Sequence, residues 1–530
     1  MPAPSHVSRR EAKRTAQGVL RLEGRNPGNQ AQQHTRRPRG PARNSALPLA
    51  LLSSLLLLTA CKPVGPNYNR PPFQAPSTYK ETGASSVVVP PPNPKGGGWT
   101  TANPSDGMLK GKWWQIYNDP ALDRLENRVT TTNVQLQQAV ETYLAARDQV
   151  AAARANLYPV LYGVGSISRN RLSANRPLAS SSSAPTYNDF SIGGQASWEP
   201  DFWGRIRRSI EAAHASAQAS AADMANVDLS LHAEMATDYF ELRGLDSLEQ
   251  LLTRTVADMT RQLDLTEERL KGGVATEADV ALAQTQLETT RAQLVDVGVA
   301  RAQFEHAIGT LGNYDLSTFS IPPSPLNLSL PKVPLGVPSQ LLERRPDIAA
   351  AERLTDAANA QIGIAISAFY PTITLGGAGG FESQHPGTWI QGPSALWSLG
   401  AQATELLFDA GQRRAFTSAA RHTYLAQVAA YRNTVFQAFN DVENQLSTLR
   451  ILEQESGVEQ QAVAAAQNSF NISNQRYQGG VTSYLEVLTA EAALLQNQQT
   501  AISIETRQFA ASVGLVRALG GGWDVTQLPK

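Results

Sequence analysis

The stretch ERLKGGVATEADV, Glu268–Val280, places two adjacent glycines inside a long segment of strong helical character that contains no proline. Glycine in a helix interior costs about 1 kcal/mol relative to alanine, so a glycine pair marks a break or a bend. Thr276 and Asp279 follow with the spacing S/T-x-x-D/E of a capping box, which begins a new helix. Gly272–Gly273 therefore predicts a tight turn between two helices.

A second copy of this pattern lies 207 residues further along the chain. QRYQGGVTSYLEV, Gln475–Val487, repeats the glycine pair and is followed by a second predicted capping box, Ser483 with Glu486. SIGGQASWEPDFWGR at 191–205 matches SLGAQATELLFDAGQ at 398–412 with the same offset. The chain is thus an internal duplication, and each half is predicted to contain helix, strand pair, long helix, Gly–Gly turn and helix.

The prolines are distributed very unevenly. The chain holds 32 prolines, but none lies between Asp201 and Ser320 or between Ser394 and Leu528. In the second of these windows, apolar residues step by three or four, as in a coiled-coil seam, at Val428, Tyr431, Val435, Phe439, Val442, Leu446 and Leu449. A helix from Arg205 to Leu270 would be about 100 Å long. The two windows predict two very long helical hairpins.

Alternating segments precede each long helix. The apolar or small positions are Phe190, Ile192, Gly194, Ala196 and Trp198 in the first half, and Trp397, Leu399, Ala401 and Ala403 in the second. About ten alternating residues with aromatic ends are typical of a transmembrane β-strand, although the edge of a soluble sandwich has the same alternation. The aromatic residues predicted to lie near the membrane rims are Tyr158, Tyr370, Trp203 and Phe408.

The number of strands bears on assembly. Each half supplies one strand pair, which gives four strands per chain, and about eight is the practical minimum for a closed barrel. Because an open sheet edge cannot face lipid, several chains must share one barrel. The strands do not fix how many chains assemble.

The N-terminal region has the features of a targeting signal. Residues 1–60 carry ten Lys/Arg and two Asp/Glu and end in the apolar run Leu47–Ala60. These fourteen residues are too few to span a bilayer, which needs about 20, but suit a secretory signal. Cys61, the only cysteine, follows directly, so a disulfide within the chain is impossible. LLTA before Cys61 resembles a bacterial lipoprotein box, which implies cleavage before Cys61 and acylation of it. By the sorting rule for such lipoproteins, Lys62 favours transport to the outer membrane. The alternative is that Cys61 is a free thiol present by chance.

Composition and motifs disfavour several function classes. The 470 residues after the signal region carry 36 basic and 44 acidic side chains, which makes nucleic acid an improbable partner. The sequence has no HExxH zinc motif, no GxSxG nucleophile elbow and no phosphate-binding loop, and its seven histidines are scattered. We therefore expect no enzyme activity, no catalytic residue, no metal site, and no cofactor other than the lipid on Cys61.

Several motifs together resemble the TolC-like outer-membrane factors, specifically their efflux lipoprotein branch. They are PSQLLERRPDIAAAE at Pro338–Glu352, CKPVGPNYNRP at 61–71, KWWQIYNDPALDRL at 112–125 and WEPDFWGRIRR at 198–208. The resemblance covers about Cys61 to Trp523. It implies a membrane α+β fold in which a homotrimer forms a shared 12-stranded outer-membrane β-barrel, continuous with a long periplasmic α-helical barrel.

The resemblance also implies a function and partners. It implies the exit duct of a tripartite efflux pump, which passively conducts drugs or other small toxic compounds from the periplasm to the exterior. The implied partners are a periplasmic membrane-fusion adaptor, an inner-membrane proton-driven pump and outer-membrane lipid. Two alternatives stay open: a type I protein-secretion channel, and a non-conducting trimeric coiled-coil surface scaffold.

Site residues are carried over from the family motifs. The resemblance assigns adaptor docking to the hairpin tips, at Arg269, Lys271, Gly272, Gly273, Thr276, Arg476, Gln478, Gly479, Gly480 and Ser483. It assigns the pore constriction to Leu485, Glu486 and Thr489. Three copies of Leu485 would form an apolar ring and three copies of Glu486 an acidic one. Family members often have a second acid at the position of Thr489, so a double acidic ring is not expected, and Glu486 can serve as gate, as helix cap or as both.

The segment Arg344, Arg345, Pro346 and Asp347 is interpreted as a structural helix start, because proline suits the first helical turn and an acid there faces the positive helix end.

The predicted segments, in chain order, are a cleaved signal region 1–60, a lipid-anchored extended arm 61–111, leading helices 112–157, a strand pair 158–203, a long hairpin 204–312 with its tip at 272–273, an equatorial linker 313–338, leading helices 339–369, a strand pair 370–409, a long hairpin 410–520 with its tip at 479–480, and a tail 521–530.

Overall fold

The structure is a computed structural model, and it describes residues 62–76, 78–81, 111–173, 186–333 and 338–529. The predicted signal region and Cys61 lie outside these residues, as does most of the predicted arm after residue 81. The described part is mostly helical and contains a four-stranded sheet. Among the helices in those ranges, none combines the length and the apolar character that a bilayer span requires.

Each half of the described chain contains leading helices, two strands and a long hairpin. The helices are α1 Pro120–Thr132, α2 Val134–Ala155, α3 Arg205–Lys271, α4 Glu277–Leu311, α5 Leu341–Arg344, α6 Pro346–Ser367, α7 Gln412–Gln478 and α8 Tyr484–Ala518. The strands are β1 Val160–Arg171, β2 Thr186–Trp198, β3 Thr372–Ser383 and β4 Ala395–Thr404. Helices α3 and α7 each have 67 residues, and α4 and α8 each have 35. The two hairpins are therefore equal in length, as the duplication in the sequence requires.

The strands of the two halves join in one antiparallel sheet with the order β1-β2-β3-β4. Between the halves, Phe190 of β2 lies opposite Ser383 of β3, and Trp198 lies opposite Leu375. A Cβ added to Gly380 would lie 2.3 Å from the carbonyl oxygen of Ile192, so glycine permits the close approach of these two strands. β1 and β4 form the two edges of the sheet.

The aromatic residues predicted for the membrane rims lie at the junctions between strands and helices. Trp203 stacks on Tyr370 with 4.8 Å between ring centroids, and its indole N–H donates to the carbonyl of Pro371 at 2.7 Å. This contact links the first half to the second. Tyr158 and Phe408 are 68% and 84% exposed, so in the single chain their rings are open to the surroundings.

The main apolar core lies where the leading helices pack against the long hairpins. Phe240 of α3 and Phe509 of α8 are buried with a ring distance of 4.8 Å. The predicted seam of α7 packs in a second cluster, in which Val428, Tyr431, Val435, Phe439 and Val442 are buried and Leu446 and Leu449 are half-buried. Each fully buried side chain of this type contributes about 1.5–3 kcal/mol.

The core also contains an ionic pair that the sequence did not reveal. The imidazole Nδ1 of His232 on α3 lies 2.5 Å from a carboxylate oxygen of Glu126 on α1, and both side chains are buried. Trp114 stacks on the imidazole at 4.4 Å. Burial alone would lower the pKa of His232, but hydrogen bonds to Asp228 and Glu126 outweigh burial and raise that pKa to about 9.

The segment around Pro346 begins a helix and holds three helices together. Pro346 is the first residue of α6, and Arg345 before it is extended. The guanidinium of Arg345 donates to both carboxylate oxygens of Asp347, at 3.0 and 2.7 Å. It also donates to Asp441 of α7 and to the carbonyl of Ala518 at the end of α8. This geometry suits a structural helix start, and α5 ends at Arg344 just before it.

Candidate functional site at the hairpin tips

The first tip, residues 269–276, and the second tip, residues 476–483, have the same backbone geometry. Only the second glycine of each pair has a positive φ, which is +71° at Gly273 and +74° at Gly480. The N–H of Val274 donates to the carbonyl of Arg269 at 2.8 Å, and the second tip repeats this bond at 2.9 Å. These are Schellman turns, in which glycine takes the left-handed position at low cost and the last helical carbonyls are satisfied.

The caps that follow the two turns differ. The hydroxyl of Thr276 accepts from the N–H of Asp279 at 3.2 Å, and the Asp279 carboxylate accepts from the N–H of Thr276 at 2.9 Å, which completes the predicted capping box. The second predicted box is wrong, because the side chain of Ser483 makes no capping bond. The Glu486 carboxylate lies instead 3.8 Å from the guanidinium of Arg476, across the turn. Glu486 thus faces Arg476 and forms no capping box with Ser483.

Most of the predicted docking residues are exposed at the two tips. The exposed ones are Lys271, Gly272, Gly273, Thr276, Arg476, Gln478, Gly479, Gly480 and Ser483. Val274 and Val481 are not among the predicted docking residues, but they are 66% and 70% exposed and follow the glycine pairs directly. The repeated sequence Gly-Gly-Val could have indicated an exposed valine at each tip. Each tip therefore presents an apolar side chain amid polar groups.

Arg269 does not point away from the molecule with the other tip residues. Its guanidinium donates to the carbonyl of Tyr477 at 3.1 Å and to that of Gln478 at 3.4 Å. The same guanidinium lies 4.5 Å from the centre of the Tyr477 ring, within the range of a cation–π contact. Arg269 thus joins the first tip to the second, which differs from the predicted docking role.

A small apolar cluster lies behind this contact. Ala283, Tyr477, Tyr484 and Val487 are buried together, and the two tyrosine rings lie 5.3 Å apart. The Tyr484 hydroxyl donates to the side-chain oxygen of Gln262 on α3 at 3.4 Å. Residues from α3, α4, α7 and α8 thus hold the second tip against the first hairpin.

Helix α8 has two different faces just after the second tip. Leu485, Glu486 and Thr489 are exposed, and their spacing places them on one side of the helix. Leu485 is 52% exposed, and the Thr489 hydroxyl donates to the carbonyl of Glu486 at 3.0 Å. The other side carries buried residues, including Val487 and Glu491. The predicted constriction residues therefore form one continuous exposed patch.

Among the described residues, no group of three or more His, Cys, Asp or Glu side chains is arranged to hold a metal ion.

The family of outer membrane efflux proteins matches residues 127–311 and 337–521, one segment in each half of the chain. The chain belongs to this family. The efflux channel TtgC of Pseudomonas putida, described as a probable efflux pump outer membrane protein, is 31% identical over 412 residues, which cover 78% of this chain and 85% of TtgC. The pyoverdine export outer membrane protein OpmQ of Pseudomonas aeruginosa is 30% identical and covers 90% of this chain and 97% of OpmQ. The structure of the outer-membrane channel OprN matches with a TM-score of 0.78 and 26% identity, over 87% of this chain and 99% of OprN.

These comparisons establish fold class, function and location. OprN is an outer-membrane channel, and the membrane α+β fold predicted from the sequence is confirmed. The chain is an outer-membrane efflux channel that extends into the periplasm, so the predicted exit duct is also confirmed. The family is one of channels rather than of known enzymes.

Proposed function

We propose that three copies of this chain form a duct for small toxic compounds, closed at its periplasmic end by α8 and opened by partner proteins that bind the tips. The observation that carries the proposal is the exposed patch Leu485, Glu486 and Thr489, directly beyond the second tip. No described residue of the same chain covers this patch. Three copies around a common axis would bring three such patches together.

The sheet supports the assembly of several chains. Its edge strand β4 is exposed at every residue, and Trp397 and Leu399 are 78% and 81% exposed. An edge of unpaired N–H and C=O groups cannot face lipid, so β4 of one copy must pair with β1 of the next. Three copies of four strands give a barrel of about twelve strands, within the range of known outer-membrane barrels.

The constriction combines an apolar and a charged ring. Leu485 would form the apolar ring, which opposes the passage of water and ions. Glu486 would form a ring of three carboxylates, each with Arg476 at 3.8 Å. Both side chains are about half exposed, so this pairing is weak, and the ring keeps part of its negative charge. Thr489 adds a hydroxyl group without charge.

The tips are suited to docking by a partner. Each Schellman turn is closed by backbone hydrogen bonds and exposes a valine, Val274 or Val481, on a polar surface. By the family resemblance, the partners are a periplasmic membrane-fusion adaptor and an inner-membrane proton-driven pump, which supplies the energy. We expect Val481→Glu to abolish efflux of a dye substrate in cells while the trimer persists on native gels.

The matched control for this test is Val481→Thr, which keeps the shape of valine without adding a charge and should retain most of the efflux. Full efflux by Val481→Glu would show that the tips are not the docking surface. Loss of the trimer in either variant would call for the same substitutions at Val274.

A lipid on Cys61 agrees with the position of the described residues that follow it. The N–H of Val64 donates to the carbonyl of Trp203 at 2.9 Å, and Arg208 donates to the carbonyl of Val64 at 3.1 Å. Val64 is thus fixed at a junction of strand and helix. Val64 follows Cys61 by three residues in the sequence, so a lipid on Cys61 would be attached shortly before this fixed point. One acyl chain alone binds a membrane weakly, but the barrel would supply the rest.

A further inference from the structure

Helix α8 carries a buried acid on the side opposite the proposed constriction. Glu491 follows Thr489 by two residues and is only 5% exposed. Its carboxylate oxygen Oε2 is buried and has no hydrogen-bond partner among the described residues. An ionised carboxylate in such a position loses its hydration without compensation, so the buried position favours the protonated acid.

The groups around Glu491 strengthen this preference. Leu495, one turn further along α8, packs against Leu252 of α3, so this part of α8 lies on the first hairpin. From α3, the carboxylate of Asp258 acts on Glu491 as a like charge. Asp258 has its own ion pair with Arg261 on the exposed surface. From α8 itself, the hydroxyl of Tyr484 is the titratable neighbour. Burial, with a further contribution from Asp258, raises the pKa of Glu491 to about 7.

We propose that Glu491 is a proton-dependent release for α8: the protonated acid lets α8 lie against α3 with the constriction closed, and the ionised acid drives α8 away from Asp258 and opens the second tip. When the acid ionises, its proton passes to water. The two faces of α8 make this coupling direct, because a shift of the buried face also displaces Leu485 on the other side. The proposal rests on the proposed constriction.

The direction of the pH dependence follows from the two states. In the closed state the pKa of Glu491 is raised to about 7, whereas in an open state a hydrated carboxyl would titrate near its ordinary value of 4.5. The proton therefore stabilises the closed state fully below about pH 4.5, and this stabilisation is lost as the pH rises through about 7. Between pH 5 and pH 8 the ratio of open to closed protomers should rise about 70-fold.

The test records the full-chain trimer in planar lipid bilayers between pH 5 and pH 8. We expect the open fraction of the wild type to rise with pH, and Glu491→Gln to keep the low-pH open fraction throughout. Asp258→Asn should move the midpoint to lower pH, because it removes the like charge. The control Glu453→Gln, at an exposed position on α7, should behave as the wild type. The same rise in Glu491→Gln as in the wild type would overturn the proposal.

A second measurement separates this proposal from the proposed constriction. Hydrogen–deuterium exchange of residues 484–495 is compared between the wild type and Glu491→Gln at the same pH, so that the chemical exchange rate cancels. We expect faster exchange in the wild type at pH 8 and equal exchange at pH 5. Equal exchange in the wild type and Glu491→Gln at both pH values would overturn the proposal that ionised Glu491 releases α8 from α3. Faster exchange with an unchanged open fraction would support the release and show that the constriction lies elsewhere.

Discussion

The contact of Arg269 with the second tip is predicted to keep the duct closed, and Arg269→Gln tests this. The guanidinium makes two hydrogen bonds to carbonyls, one of them long at 3.4 Å, and a cation–π contact with Tyr477. Hydrogen bonds of charged groups contribute about 1.5–3 kcal/mol each, and an exposed cation–π contact contributes about 0.5–1 kcal/mol. Arg269 is half-buried, and its buried Nε has no hydrogen-bond partner among the described residues, so the net contribution of Arg269 to the closed state is smaller.

We take the contribution of Arg269 to the closed state as about 2 kcal/mol per protomer. Its loss would raise the ratio of open to closed protomers about 30-fold. The assay is the open fraction of single channels in planar lipid bilayers, and we expect it to rise strongly in Arg269→Gln. Arg269→Lys should give an intermediate rise, because lysine keeps the charge but loses the planar fork. The control is Arg291→Gln, at an exposed residue of the same hairpin whose ion pair is with Glu288 in the same helix, α4. An intact Arg269→Gln trimer with the open fraction of the control would refute the argument.

The remaining predictions concern the anchor, the core and the tip turns. Cys61→Ser should remove the lipid, and an acylated N-terminal peptide in the mass spectrum of that variant would contradict the assignment. The positive charge of His232 should stabilise the wild type below about pH 6.5, and this contribution should be lost as the pH rises through about 9. His232→Gln should remove this part of the pH dependence of the unfolding temperature. An identical pH dependence in both proteins would refute this role of His232. Gly480→Ala should cost about 1–2 kcal/mol, because its φ of +74° strains an L-residue although no atom lies near the added Cβ; an unchanged unfolding temperature would argue against the strain.

Much of the fold could be predicted because the duplication shows each element twice. The glycine pair at Gly272–Gly273 and its copy mark the ends of α3 and α7, since a helix cannot continue cheaply through two glycines and a positive φ. Alternation predicted the strands at 190–198 and 397–404, where the structure has β2 and β4. These features depend on local backbone and solvent preferences, which a sequence records directly.

The details of the site could not be predicted in the same way, because they depend on contacts between residues distant in sequence. Arg269 was assigned to docking, but its partner carbonyl at Tyr477 is 208 residues away. Glu486 has the spacing of a capping residue, yet Arg476 across the turn attracts its carboxylate. Glu491 is one charged residue among many in a helix, and only its burial against α3 distinguishes it.

If the patch after the second tip closes the duct, the double variant Leu485→Ser with Glu486→Ser should change the single-channel conductance in planar lipid bilayers. Small neutral side chains would widen the narrowest part of the passage and remove the acidic ring. We expect a higher conductance and a weaker preference for cations than in the wild type, in a trimer of normal stability. The wild-type conductance and ion preference in that variant would contradict it.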